Sequence, residues 1–238
     1  MEGVITGVAD LRRKPKFRSE RVSQLIFGEE VEVLGSEGEY LHVVGPDKLG
    51  GFMLGTLVGE LDGERNYKLA SRHAAKGLQL PFGSYLSRKE ANRFGIPGRL
   101  LVQIEKSFEP CRISRSFLGV PYLWGGTSDF GYDCSGFTQR LLRYSGTEIP
   151  RNSNWQRDVG EKVKDLDHAE RGDLVFFRGH VALHLGNKWI IHSNLSHGGV
   201  SITDLADGSE YSKILMSIFQ GVRRYEAGGR YAIIQRSG

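Results

Sequence analysis

Short apolar stretches broken by turn residues run through the first 105 or so residues and restrict what that half can become. Val31, Val33 and Leu34 follow Gly28, and Leu41, Val43 and Val44 precede Gly45-Pro46-Asp47. Runs of about five residues between turns are strands rather than helices, and such strands close into small barrels. Gly50-Gly51 is expected to be another tight turn, before Phe52-Met53-Leu54. A weaker version follows, with strands expected at 67–70, 77–83 and 100–104. IFGEE and LPFGS each place a glycine turn after an apolar strand, which hints at a divergent internal repeat. The expected organisation is one small all-β barrel over 1–60 and a second, divergent one over 61–105.

From about residue 106 the texture changes. Phe108, Cys111 and Leu118 share one helical face, and Ile113 and Phe117 are spaced four apart, so a helix is expected to end near Gly119. A second helix should start near Asp133 and stop at Gly146. Apolar runs at 174–177, 181–185 and 189–191 read as strands, with a hairpin at Gly186-Asn187. Further strands are expected at 214–219 and 231–234. A cysteine-bearing helix followed by an antiparallel sheet is an α+β arrangement, assigned to 106–238.

Composition narrows the function classes. Glycine supplies 32 of 238 residues, about twice its usual share. With only two cysteines, Cys111 and Cys134, a disulfide scaffold or a zinc site of four cysteines is excluded. No window approaches eighteen apolar residues, so no membrane partner is expected. The N-terminal MEGVITGVADLRRKP lacks a secretory signal pattern. The expected location is therefore the cytoplasm, or outside it if the chain is a trimmed mature form. The net charge is +4, but runs such as RSER and DLDHAER mix both signs. Aromatic residues are not interleaved with a basic patch, so no nucleic-acid partner is expected.

Chemistry gathers around Cys134. It sits in Asp133-Cys134-Ser135-Gly136 at the proposed helix start, where the dipole and unpaired N–H groups favour a thiolate. The same N–H groups suit a developing oxyanion. Gly125, Gly126 and Gly131 would let backbone and substrate come close. Downstream, His180 and His192 flank the expected hairpin. If pairing centres on Gly186, residues whose numbers sum to 372 lie opposite (180 + 192 = 372), which makes the two histidines cross-strand neighbours. His184 would then lie opposite Lys188 as an exposed strand residue. Cys134 as nucleophile, His180 as base and His192 as orienting group follows the logic of thiol catalysis. Taken singly, each residue also fits a blander role: a packed thiol, or polar histidines on a solvated strand. The same three side chains plus water would make a zinc site.

These residues resemble a family. GVPYLWGGTSDFGYDCSGF, IPRNSNWQ, RGDLVFF and HVALHLGNKWIIHS occur in the order and at the spacing of the NlpC-type, papain-like cell-wall cysteine peptidases. The resemblance places the nucleophile on Cys134, the base on His180 and the third polar residue on His192, with no metal or cofactor. His184 departs from the family pattern. RVSQLIFGEEVEVL and LQLPFGSYL resemble the two bacterial SH3-like modules that precede the peptidase in a narrower group and close one end of its cleft. That group is the γ-D-glutamyl-L-diamino acid endopeptidases of the dipeptidyl-peptidase VI type. It implies murein peptides with a free N-terminal L-Ala as substrate, cut after γ-D-Glu in cell-wall recycling. It also implies that Tyr122, Asp133, Ser135 and Ser153 contact that substrate. An endopeptidase of intact peptidoglycan and a non-catalytic wall-binding protein are the alternatives.

Overall fold

Alternating buried and half-buried residues build the first part of the chain into antiparallel sheets. The computed structural model describes residues 1–231 and divides into two compact units. One comprises Met1–Lys106 with Thr127–Phe130, the other Ser107–Gly126 and the residues from Gly131 onward.

In the first unit a five-stranded sheet runs in the spatial order Arg21–Ile26, Val8–Arg12, Gly50–Leu54, Tyr40–Val44 and Glu32–Glu37. Ala9 and Leu11 point inward from Val8–Arg12 and pack with Val4, Leu25, Val31, Val43 and Met53. Gly50-Gly51 is not the expected turn. It opens a strand, and a Cβ on Gly51 would stand 2.8 Å from the Arg12 carbonyl oxygen. The glycine there permits close strand packing, while the chain turns at 45–49, with Lys48 at φ 61°.

A second cluster joins Phe27, Leu69, Leu80, Leu86 and Ile96. Around it lie a three-stranded sheet (Tyr85–Leu86, Tyr67–Leu69, Leu101–Gln103) and a hairpin of His73–Ala75 with Leu78–Leu80. The helix Arg88–Arg93 was not foreseen. Glu90 N–H donates to Ser87 Oγ (3.1 Å) and Ser87 N–H donates to Glu90 Oε2 (2.9 Å). This reciprocal cap was written in the sequence as Ser87-x-x-Glu90. Thr127 Oγ1 donates to the Gln24 carbonyl (2.8 Å) and Arg72 Nε to Asp129 Oδ2 (2.7 Å), so 127–130 packs as part of this unit.

The second unit is built on a six-stranded antiparallel sheet. Its order is Glu161–Val163, Phe219–Arg224, Leu174–Phe177, His180–Gly186, Trp189–Asn194 and Gly199–Asp204. Val175, Phe177, Ala182, Ile190 and Val222 form a core with Leu166, Leu205 and Leu215. The helix Cys134–Tyr144 is buried along its whole length. Its Phe137 meets Tyr132 and Phe117 with ring centroids 5.2 and 6.2 Å away.

Several local expectations need correction. Residues 110–114 form a short helix followed by a 3-10 turn at Arg115–Phe117, and Leu118 lies exposed beyond it rather than on the packed face. Residues 214–219 are not a strand. Glu210–Ser217 is a helix capped by Ser209, whose Oγ accepts from Ser212 N–H, and the strand starts only at Phe219. Leu215 enters the core with Tyr211 and Ile218 packed against it, a helical spacing hidden within an apolar run. The strand expected at 231–234 lies outside the described residues after Tyr231. No helix among the described residues is long and apolar enough to cross a membrane.

Candidate active site

The cysteine helix begins where its sequence says it should. Asp133 is the N-cap, with extended backbone and Oδ1 accepting from Gly136 N–H at 2.6 Å. Close backbone approach is enforced around it. A Cβ on Gly136 would sit 2.1 Å from the Gly126 carbonyl oxygen, and one on Gly126 2.3 Å from that of Gly131. These glycines pack backbone against backbone.

Asp133 does more than cap. Arg151 donates through Nη2 to Oδ2 (2.6 Å) and through Nη1 to Oδ1 (3.0 Å). Gly125 N–H donates to Oδ2 (2.9 Å) and Ser135 Oγ to Oδ1 (3.3 Å). Arg151 Nη1 also donates to Ser135 Oγ (3.0 Å). The Arg151 side chain is 2% exposed, so this is a buried bidentate ion pair. Sequence reasoning singled out Asp133 and Ser135 but missed Arg151, although it stands in the quoted IPRNSNWQ stretch. An arginine following a proline carries no local signal of burial.

Cys134 stands beside this pair, buried and reduced. Its thiol is pushed up to about 11, mainly by burial and then by the Asp133 charge. Backbone N–H groups of Val181 and Ser135 and the Arg151 charge act the other way and do not outweigh burial. The helix start therefore does not hold a thiolate by itself, contrary to the expectation from the dipole. Tyr122 lies within electrostatic reach of both Cys134 and Asp133, its hydroxyl pushed up to about 12, chiefly by burial. Ser153 opens the short helix Ser153–Asp158 and is half-buried, with no hydrogen bond joining it to the Asp133 cluster.

The strand His180–Gly186 brings the first histidine to this place, since Val181, whose N–H favours the Cys134 thiolate, directly follows His180. His180 Nε2 is 2.7 Å from His192 Nδ1, and His192 Nε2 is 3.0 Å from Thr203 Oγ1. Burial holds His180 down to about 4. His192 is held well below the ordinary histidine range by burial, then by the neighbouring His180 and His197. Both imidazoles are therefore neutral at neutral pH. Among the described residues the Cys134 thiol makes no hydrogen bond to either ring.

The expected register is off by two. Leu183 pairs with Ile191 and His184 with Ile190, so paired numbers sum to 374 and not 372. The two-residue turn is Asn187-Lys188, both at positive φ (50° and 64°), one step beyond the predicted Gly186-Asn187. A shift of two keeps every side chain on its face, so the histidines still meet, diagonally instead of directly opposite. His184 is corrected more sharply. It lies opposite Ile190 rather than Lys188 and is buried (2% exposed), with Nδ1 2.9 Å from the Glu170 carbonyl oxygen. The sheet is covered on both faces here, which alternation alone does not reveal. Cys111 is buried, with Sγ donating to the His184 carbonyl (3.5 Å), and burial pushes its thiol up to about 12.

Among the described residues no three acidic, histidine or cysteine side chains converge as metal ligands. A cysteine at a helix N-terminus thus stands beside two adjacent strands that carry a hydrogen-bonded histidine pair. The model of the NlpC/P60 family matches residues 119–219. Residues 119–219 belong to the NlpC/P60 family. Among similar curated proteins, the gamma-D-glutamyl-L-lysine dipeptidyl-peptidase of Bacillus cereus is 40% identical over 119 residues, covering 47% of this chain and 34% of that protein. Its namesake from Bacillus subtilis is 39% identical over 110 residues, covering 43% and 36%. The chain thus matches about a third of the length of these relatives. A solved NlpC/P60 family protein from Bacillus cereus shares the fold over 94% of this chain and 99% of that one, with TM-score 0.76 at 20% identity.

Proposed function

We propose that this NlpC/P60 protein is a cell-wall cysteine peptidase, acting on the γ-D-glutamyl–diamino acid bond of murein peptides that carry a free N-terminal L-Ala. The observation that carries the reading is the 2.7 Å contact between His180 and His192, with His180 next to Val181, whose N–H favours the Cys134 thiolate. The names of the similar proteins support the substrate class.

In this reading Cys134 is the nucleophile, His180 the base and His192 its orienting partner. Burial disfavours a lone thiolate and a lone imidazolium alike, so proton transfer and attack go together. The S–H proton passes to His180 while sulfur attacks the γ-glutamyl carbonyl. The Cys134 N–H, at the helix start without an intrahelical acceptor, faces the developing oxyanion, with the Tyr122 hydroxyl beside it. His180 then protonates the leaving amine and activates the water that releases the thioester. No metal or cofactor enters these steps. Tyr122, Asp133, Ser135 and Ser153 are assigned to substrate contact. We further propose that the first unit consists of SH3-like modules and that the protein recycles released wall peptides in the cytoplasm.

Arg151 favours a second reading. Its ion pair with Asp133 leaves that carboxylate less attractive to a substrate ammonium than an unpaired one. An endopeptidase of intact peptidoglycan needs no such ammonium. Product analysis with L-Ala-γ-D-Glu-diaminopimelate separates the two. The first reading expects the dipeptide L-Ala-γ-D-Glu from the free amine and none after N-acetylation. Equal cleavage of both forms establishes the second.

A further inference from the structure

We infer that Thr203 is a positioning residue: its hydroxyl supplies the acceptor that lets His192 carry its proton on Nε2 and so keeps His180 able to accept the proton of Cys134. The inference rests on the roles proposed above for Cys134, His180 and His192.

Thr203 lies on the edge strand Gly199–Asp204, paired with Ile190. It is buried, and Oγ1 lies 3.0 Å from His192 Nε2. His192 is fully buried, so water does not replace this partner. With His192 Nδ1 2.7 Å from His180 Nε2, the three side chains form one hydrogen-bonded chain in which His180 Nδ1 takes no part.

Two proton arrangements satisfy that chain. In the first, His192 Nε2–H donates to Thr203 Oγ1, and His180 Nε2–H donates to the lone pair on His192 Nδ1. His180 Nδ1 then has a free lone pair. In the second, the Thr203 hydroxyl donates to His192 Nε2, His192 Nδ1–H donates to His180 Nε2, and His180 Nδ1 already holds a proton. Only the first can do the chemistry. When the S–H bond breaks and an N–H bond forms on His180 Nδ1, the imidazolium has a proton on both nitrogens. Its Nε2–H then needs an acceptor on His192, and His192 can offer one only if its own proton sits on Nε2. An oxygen acceptor at Nε2 is therefore required, and Thr203 supplies it.

The groups facing His192 are His180 from the neighbouring strand, His197 from the loop ahead of the edge strand, and the Tyr211 ring of the helix Glu210–Ser217, 6.2 Å away. The charged and titratable groups around Cys134 are Asp133, Arg151 and Tyr122. Valine at 203 keeps the shape and removes the acceptor. The buried Nε2–H would be left unpaired, and the proton would move to Nδ1.

The experiment compares the wild type, Thr203→Val and Thr203→Ser. Murein tripeptide kinetics are read alongside the pH dependence of iodoacetamide alkylation at Cys134, resolved from Cys111 by peptide mass. For Thr203→Val we expect kcat lower by about tenfold or more with KM little changed. Its alkylation should be slower at neutral pH, with the midpoint moved upward. Thr203→Ser should retain most of both. The inference is overturned if Thr203→Val matches the wild type in both measurements, or if a folded Thr203→Ser fails as badly as Thr203→Val. Imidazole ¹⁵N shifts of the wild type test it independently of any variant: a proton on His192 Nε2 supports it and a proton on Nδ1 overturns it. If the wild type cleaves no murein peptide while the alkylation profile still shifts in Thr203→Val, the role of Thr203 stands and the substrate reading falls.

Discussion

Two neighbouring residues, Asp133 and Cys134, live in opposite surroundings. Asp133 accepts five hydrogen bonds, from Gly125, Ser135, Gly136 and both terminal nitrogens of Arg151. Cys134 is buried with its thiol pushed up to about 11 and makes no hydrogen bond to either nearby histidine. The saturated carboxylate is framework, held in one arrangement by its ion pair and cap. The thiol and the histidine chain are left free to change protonation, which a fully satisfied network resists. In the proposed mechanism, rigid support on one side lets the other side move a proton without moving backbone.

The sharpest way to break this contrast is at the thiol. Cys134→Ala should reduce murein-peptide hydrolysis to background with unfolding unchanged within error, read by product chromatography beside a denaturation curve. Residual turnover would remove Cys134 from its assigned role. The framework side predicts the reverse pattern, a stability effect first. Arg151→Met leaves a buried carboxylate uncompensated and should cost about 3–5 kcal/mol in urea unfolding. Adding Asp133→Asn should recover part of that loss. If Arg151→Met is nearly as stable as the wild type, Asp133 is not framework.

Acid should separate the two sides more gently. His180 and His192 are held below the ordinary histidine value in the folded protein, so the unfolded chain binds their protons first. Stability should therefore fall as pH drops from about 6.5 toward 4, and His180 adds nothing further below that. His180→Gln should flatten the urea midpoint across this window, and an unchanged slope would contradict a neutral histidine pair. The smallest effect belongs to the first unit. Ser87→Ala removes the cap of the helix Arg88–Arg93 and should cost about 1 kcal/mol, seen in unfolding and not in turnover.

How much was legible depended on the range of the interaction. Asp133-Cys134-Ser135-Gly136 with Gly146 located the cysteine helix because capping is decided within a few residues. The histidine face survived a misplaced turn because alternation tolerates a shift of two. Ser87-x-x-Glu90 is equally local, its cap closed within four residues. The 214–219 stretch misled because an apolar run of that length fits a strand and a helix equally. Arg151 was invisible because its partner lies eighteen positions away and nothing near it announces burial.

The sequence alone determined which residue types could do chemistry, where the cysteine helix begins, and that two histidines on neighbouring strands share a sheet face. These follow from short-range sterics and periodicity. Only the tertiary structure decided that Asp133 already has a counter-ion, that His184 is buried, and that Thr203 ends the histidine chain. Each of those facts depends on what covers a surface and on contacts between segments far apart in the chain, and desolvation, which sets the protonation of Cys134 and His180, exists only once the chain has packed around them.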